Sequence, residues 1–210
     1  YAYLAKERKK KSARSIIDSI ICNEYEDLSR YLERTAIQEA VAVRHHIRVC
    51  RLAQLLVDEN GCLQESRLME AIASLEKYRY FLGPSYHFEA SRRDHLLLVL
   101  RAFSESKELK QALKLVHRPI GNKHAENLIR ESLRLGRKVV IKDYHARQAV
   151  LATCLSYLRQ NVGSCFATAP AIFIMREQLL NLVKDLNKLL SAGELKRTFG
   201  GVEYAVPLSM

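Results

Sequence analysis

The sequence predicts a mostly α protein: a helical bundle followed by a segment that carries a nucleophile candidate, with minor strand content. Three observations carry the prediction. Glycine and proline are scarce, 8 and 4 among 210 residues. Apolar side chains return every three to four positions over most of the chain, which is the helical period. Hydrophobic residues make up 48% of the total, enough to bury a sizeable core without disulfide or metal staples.

The elements follow in order. Between Ser12 and Asp58 there is neither Gly nor Pro, and Ile16, Ile20, Tyr25, Leu28, Leu32, Ile37, Val41, Ile47, Cys50 and Leu55 keep helical spacing, so two helices are expected. Asp58-Glu59-Asn60-Gly61 is a turn. Leu63, Leu68, Ile72, Leu75, Tyr78 and Leu82 then resume the pattern until Gly83-Pro84 stops it. Ser91 and Asp94 read as a capping pair for a helix through Leu96, Leu100 and Phe103, and Ser106 opens a shorter helix through Leu109, Leu113 and Val116. Pro119 to Asn122 breaks the chain. A helix with Leu128, Ile129 and Leu133 follows, and Gly136 is placed as its C-terminal cap. The β-branched Val139-Val140-Ile141 reads as a short strand, and Asp143 as the N-cap of a helix carrying Val150, Leu151, Cys154, Leu155 and Leu158. Beyond a turn at Asn161 to Ser164, Met175, Leu179, Leu182, Val183, Leu186 and Leu190 mark a long helix closed by Gly193. Val202 to Val206 reads as a strand without a partner in this chain. The expected domains are residues 1–136, a helical N-terminal region, and residues 137–210.

The net charge of +11 is uneven. Lys6, Arg8, Lys9, Lys10, Lys11 and Arg14 against Glu7 place +5 in the first fourteen residues, a solvated arm able to attract acidic protein or nucleic acid. Tyr78, Tyr80, Phe81, Tyr86 and Phe88 among Arg79, Arg92 and Arg93 offer base stacking in principle, although aromatics around a Gly-Pro turn more often plug a core, so nucleic acid is the less favoured partner. Cys22, Cys50, Cys62, Cys154 and Cys165 are an odd set with no CxxC pair, which fits neither a disulfide framework nor a structural zinc site. Reduced thiols are expected, as in the cytoplasm, with secretion left open because a chain starting at Tyr1 is read as trimmed. No apolar run reaches the length of a membrane span.

Two apparent metal motifs fail on spacing. With Gly61 at the glycine position of a calcium loop, Leu56 falls at the first ligand and Arg67 at the last, where a hard cation needs carboxylates. His45 and His46 are adjacent, so on a helix their rings diverge by about a hundred degrees and cannot meet at one ion. No metal and no cofactor is expected.

Gln160-Asn161-Val162-Gly163-Ser164-Cys165-Phe166-Ala167-Thr168-Ala169 stands apart. A cysteine directly after a Gly-Ser turn at the head of a helix meets backbone N–H groups and the positive end of the dipole, which favour thiolate. A glutamine just upstream can offer its amide, with the cysteine N–H, to a developing oxyanion. At these residues the sequence resembles the papain-like cysteine peptidases, in which a Gln precedes a Gly-Ser-Cys-aromatic-Ala run opening a long helix. The resemblance implies Cys165 as nucleophile, Gln160 as oxyanion donor, a peptide or protein substrate, and thiol-dependent acyl transfer, most simply hydrolysis of a peptide or isopeptide bond. It also implies that residues 137–210 are the incomplete start of a papain-like domain. The family's His and Asn lie roughly 130 to 150 residues past the cysteine, whereas 45 residues follow Cys165 and all seven histidines precede it. The base then comes from a further C-terminal portion or a second chain. The alternative reading is a non-enzymatic basic helical module that binds an acidic protein or nucleic acid.

Overall fold

Seven helices and one β-hairpin make up a computed structural model that describes residues 47–77, 87–156, 174 and 177–208. The basic arm, His45-His46, the aromatic Gly-Pro region at 78–86 and the whole Gln160 to Ala169 run lie outside the described residues.

Helix α1 ends at residue 56 and buries Val49, Leu52, Ala53 and Leu56, a stripe at helical spacing. Val57 forms an isolated antiparallel bridge with Leu63, pinching off the turn between them. Helix α2 (Glu65–Lys77) buries Leu68, Ala71, Ile72 and Leu75 on one face. Helix α3 spans His87–Glu105, so it begins before the Ser91-Asp94 pair expected to cap it; Asp94 instead pairs with the neighbouring Arg93. Its apolar face is Leu96, Val99, Leu100 and Phe103, and a fully buried aromatic of this size contributes about 1.5–3 kcal/mol by transfer alone. Helix α4 (Lys107–Lys114) starts where the sequence places it: Ser106 Oγ accepts from the Leu109 amide at 3.1 Å.

Helix α5 (Lys123–Ser132) is capped by Asn122, whose side chain accepts from the Ala125 amide at 3.0 Å. Its other end corrects the expectation for Gly136. The Leu135 amide donates to the Arg130 carbonyl and the Arg134 amide to that of Glu131, a Schellman closure in which Arg134, at φ 52°, takes the left-handed position usually given to glycine. The strand expected at Val139 to Ile141 is also absent. The Val139 carbonyl accepts from Arg130 Nη2 at 3.0 Å and the Ile141 carbonyl from Arg118 Nη1 at 3.5 Å, so two arginines occupy groups that a sheet ladder would need.

Helix α6 (Asp143–Leu155) is the central element. It is buried on most sides, with Ala146, Val150, Leu151, Ala152, Cys154 and Leu155 in the core alongside the polar His145, Arg147 and Gln148. Lys142, not Asp143, is the cap residue; Asp143 is the first helical residue, its carboxylate committed elsewhere. Helix α7 (Leu179–Ala192) ends at Gly193 as predicted and buries Leu179 and Val183. Asn187 ties it to the end of α4 by accepting from the His117 amide at 3.4 Å and donating to the Leu115 carbonyl at 3.3 Å.

The last strand does have a partner within the chain. β1 (Glu194–Phe199) and β2 (Val202–Pro207) pair antiparallel, with Leu195 opposite Val206 and Arg197 opposite Tyr204. The joining residues Gly200 (φ 57°) and Gly201 (φ 81°) both take positive φ, which the tight two-residue hairpin turn demands. Arg197 also pairs with Asp185, clipping the hairpin to α7. One cluster of buried side chains runs from Val49 to Val183. Among the described residues no helix is long and apolar enough to cross a membrane.

Candidate functional site

The sequence-predicted site residues Cys165 and Gln160 fall outside the described residues, as does Cys22; the thiols described are Cys50, Cys62 and Cys154. Cys154 is wholly buried on α6, and desolvation pushes its thiol up to about 12. Cys50 is buried on α1 and burial raises it to about 11, Arg134 drawing it back only in part. Neither forms thiolate near neutrality. Cys62 is exposed at the base of the turn, where its carbonyl accepts from the Asp58 amide at 3.1 Å.

That turn satisfies itself. Asp58 Oδ1 accepts from the amides of Asn60 and Cys62 at 3.0 and 2.8 Å, and Oδ2 from Gln64 Nε2 at 2.7 Å. Its carboxylate is thereby occupied by the loop's own donors. Arg67, at the position where a calcium loop carries its last acid, donates from Nη1 to the Leu55 carbonyl at 2.8 Å. Among the described residues no three His, Cys, Asp or Glu side chains converge as a metal site requires.

The feature the sequence reading missed lies at the N-terminal end of α6. A cavity of about 370 Å³ is lined by Glu59, Asn60, Arg118, Lys142, Asp143, Tyr144 and Arg147. Arg147 is only 8% exposed, and a buried guanidinium needs partners. It finds them in backbone: Nε donates to the Val116 carbonyl and Nη1 to the Gly61 carbonyl, each at 3.0 Å. The neighbouring Gln148 donates to the Val57 carbonyl at 2.8 Å. Both side chains therefore stitch the 57–61 turn and the end of α4 to the central helix. The approach is close: a Cβ on Gly61, whose φ is +75°, would come within 2.1 Å of Arg147 Nη1.

Asp143 is held from the other side. Its Oδ1 accepts from the Arg118 amide at 3.0 Å and its Oδ2 lies 3.3 Å from His117 Nδ1. The backbone hydrogen bond is the main reason its carboxyl sits below the usual range, partly offset by desolvation, with His117 and Arg147 adding to the lowering. Two residues on, His145 Nδ1 accepts from the Lys142 amide at 3.0 Å, so the ring carries its proton on Nε2. Burial, reinforced by Lys142 and Arg130 and opposed by Glu59, holds its pKa down. The sequence carries no local signal for this site, because Asp143 reads there as an ordinary helix cap and the cavity is assembled from distant positions.

A second groove, of about 280 Å³, lies on the other side of the turn and is lined by Cys62, Glu65, Lys107, Lys110 and Lys114 among others. The three lysines follow i, i+3, i+7 spacing on α4, a single stripe, and Lys110 pairs with Glu65 at 2.7 Å. Comparison with known proteins finds no matching family model, no matching curated protein and no matching solved structure.

Proposed function

We propose that this chain is part of a cysteine-peptidase-like protein that performs thiol-dependent acyl transfer, with Cys165 as nucleophile and Gln160 as oxyanion donor. The observation that carries the reading is the run Gly163-Ser164-Cys165-Phe166-Ala167 with Gln160 upstream. The other thiols sharpen it by contrast, since Cys50 and Cys154 are buried with raised pKa values. Attack by the Cys165 thiolate on a peptide carbonyl forms a tetrahedral oxyanion. Its collapse releases the amine, which takes a proton from the conjugate acid of the base that deprotonated the Cys165 thiol, and water then hydrolyses the thioester to the free acid and the thiol.

The test is brief alkylation of folded protein with iodoacetamide at neutral pH, followed by peptide mapping. Cys165 is expected to react much faster than Cys154 and Cys50, because thiolate is the reacting form. A rate no higher than that of Cys154 removes the physical basis of the proposal.

A second reading, a basic helical module that binds an acidic protein, is favoured by the Lys107, Lys110 and Lys114 stripe beside its groove, in addition to the Lys6 to Arg14 arm. It predicts binding to an acidic polypeptide that weakens steeply with salt and with Lys110→Glu. Salt-insensitive or undetectable binding sinks it.

A further inference from the structure

We propose that the cavity at the N-terminal end of α6 binds the phosphate group of a small ligand, either free phosphate or a phosphate monoester. The chemistry of the lining points there. Arg118, after α4, and Lys142 and Arg147, at the start of α6, bring three cations from two stretches of the chain to one cavity of about 370 Å³. The acidic residues on the lining are Glu59 and Asp143, and Asp143 is already engaged by the Arg118 amide and His117.

Arg147 supplies the observation independent of the helix end. It is more than nine-tenths buried, with Nε and Nη1 fixed on the Val116 and Gly61 carbonyls. Its Nη2 makes no hydrogen bond to any described residue, and the side chain lines the cavity. A guanidinium held this rigidly has lost its rotamer freedom before a ligand arrives, so little ordering cost remains for binding an oxyanion.

The helix end adds to this. The side chain of His145 takes the Lys142 amide, but the cap residue's own side chain makes no capping hydrogen bond, and among the described residues the amides of Asp143 and Tyr144 have no acceptor, leaving two N–H donors at the positive end of the dipole. Placing Lys142 there, with Arg118 and Arg147 close by, sets positive charge against a positive helix end. That arrangement works against folding unless an anion occupies the site. A tetrahedral oxyanion has the acceptors to meet the free Nη2, the Lys142 ammonium and the two amides together. The cavity has room beyond one phosphate, and Asn60 and Glu59 line it as partners for hydroxyl groups.

The experiment is an amide-resolved NMR titration of the full chain with inorganic phosphate and, separately, with glycerol 3-phosphate, using chloride to match ionic strength. Saturable shifts at the amides of Asn60, Asp143 and Tyr144 are expected. Lys142→Glu, at an exposed position that leaves the core intact, should weaken binding about tenfold or more, the worth of one charge-assisted hydrogen bond. Lys110→Glu, in the other groove, should not. Tighter binding of glycerol 3-phosphate identifies a phosphorylated small molecule as the ligand; equal binding identifies free phosphate. No saturable shift into the millimolar range, shifts spread over surface lysines, or unchanged affinity in Lys142→Glu overturns the proposal.

Discussion

The two ends of α6 are built by opposite means. At the C-terminal end Leu151, Ala152, Cys154 and Leu155 are all buried, and the hydrogen bonds are local or spare: Ser156 Oγ donates to the Ala152 carbonyl at 2.8 Å, and His95 Nε2 lies 3.0 Å from the Cys154 carbonyl. At the N-terminal end the buried residues include His145, Arg147 and Gln148, and long-range directional bonds carry the contact with the rest of the fold. The difference is between burial, which is non-directional and tolerates any close-packed apolar partner, and hydrogen bonding, which fixes specific loops at specific distances. The apolar end gives the helix its place in the core. The polar end gives the 57–61 turn and the cavity their shape.

The largest expected effect strikes the apolar end. Leu151→Ala removes a fully buried side chain from the middle of the cluster and should cost about 2–5 kcal/mol, transfer plus the cavity left behind, read as a lower urea midpoint with unchanged slope. A cost under about 1 kcal/mol would mean that this end collapses around the gap, contrary to close packing. At the polar end Gly61→Ala is the matching insult. It forces a side chain into a backbone with φ +75° and into the space of Arg147 Nη1. Strain and displacement of a buried hydrogen bond together should cost about 2–4 kcal/mol. The two ends then separate on coupling: Gly61→Ala combined with Arg147→Ala should cost clearly less than the sum of the singles, because both act on one contact. Leu151→Ala should add to either within about half a kcal/mol.

The same contrast explains what was legible in the sequence. Helix α4 was readable because cap and face are local: Ser106 sits three residues before Leu109, and Leu109 and Leu113 share a stripe. The extent of α6 was nearly readable, yet its surroundings were not. Arg147 and Gln148 look like a solvated face in sequence, and they are buried because carbonyls 31 to 91 residues away come to meet them. The cavity is invisible for the same reason, being assembled from positions 59–60, 118 and 142–147. Strand β1 was missed because Lys196-Arg197 interrupts its apolar alternation, and Arg197 is explained only by Asp185 on α7. Cys165 needed no tertiary information to be noticed, since the motif that marks it is contiguous.

Acid should act on the polar end first. His145 accepts the Lys142 amide on Nδ1, and its folded pKa lies below the 6.5 of an ordinary histidine. The unfolded chain therefore binds a proton that the folded chain refuses. Its contribution is fully present above pH 6.5 and is lost as pH falls from there through the folded pKa. The lowered Asp143 follows the same sign in a lower window, below the 3.8 of an ordinary aspartate, so it does not confuse the reading near neutrality. His145→Gln keeps an acceptor at the third helical position and removes the titration. Urea midpoints compared between about pH 7 and pH 5 should fall less in the variant than in the parent. An identical fall in both would place the acid sensitivity on other histidines.

The smallest effect is also the one that sets stability against the cavity's charge. Lys142 caps α6 without a hydrogen bond from its own side chain, which sets a cationic residue at the positive end of the dipole. Lys142→Asp supplies an acceptor for the second or third amide and reverses the charge, so the protein should become more stable by about 1 kcal/mol, with the gain shrinking in high salt. The backbone amide that His145 uses is retained, so the pH response should persist. If the substitution destabilises, Lys142 is making a contact worth more than a helix cap. If it stabilises while phosphate binding is lost, the cavity holds a cation there at the expense of folding, which is how a binding site differs from a scaffold.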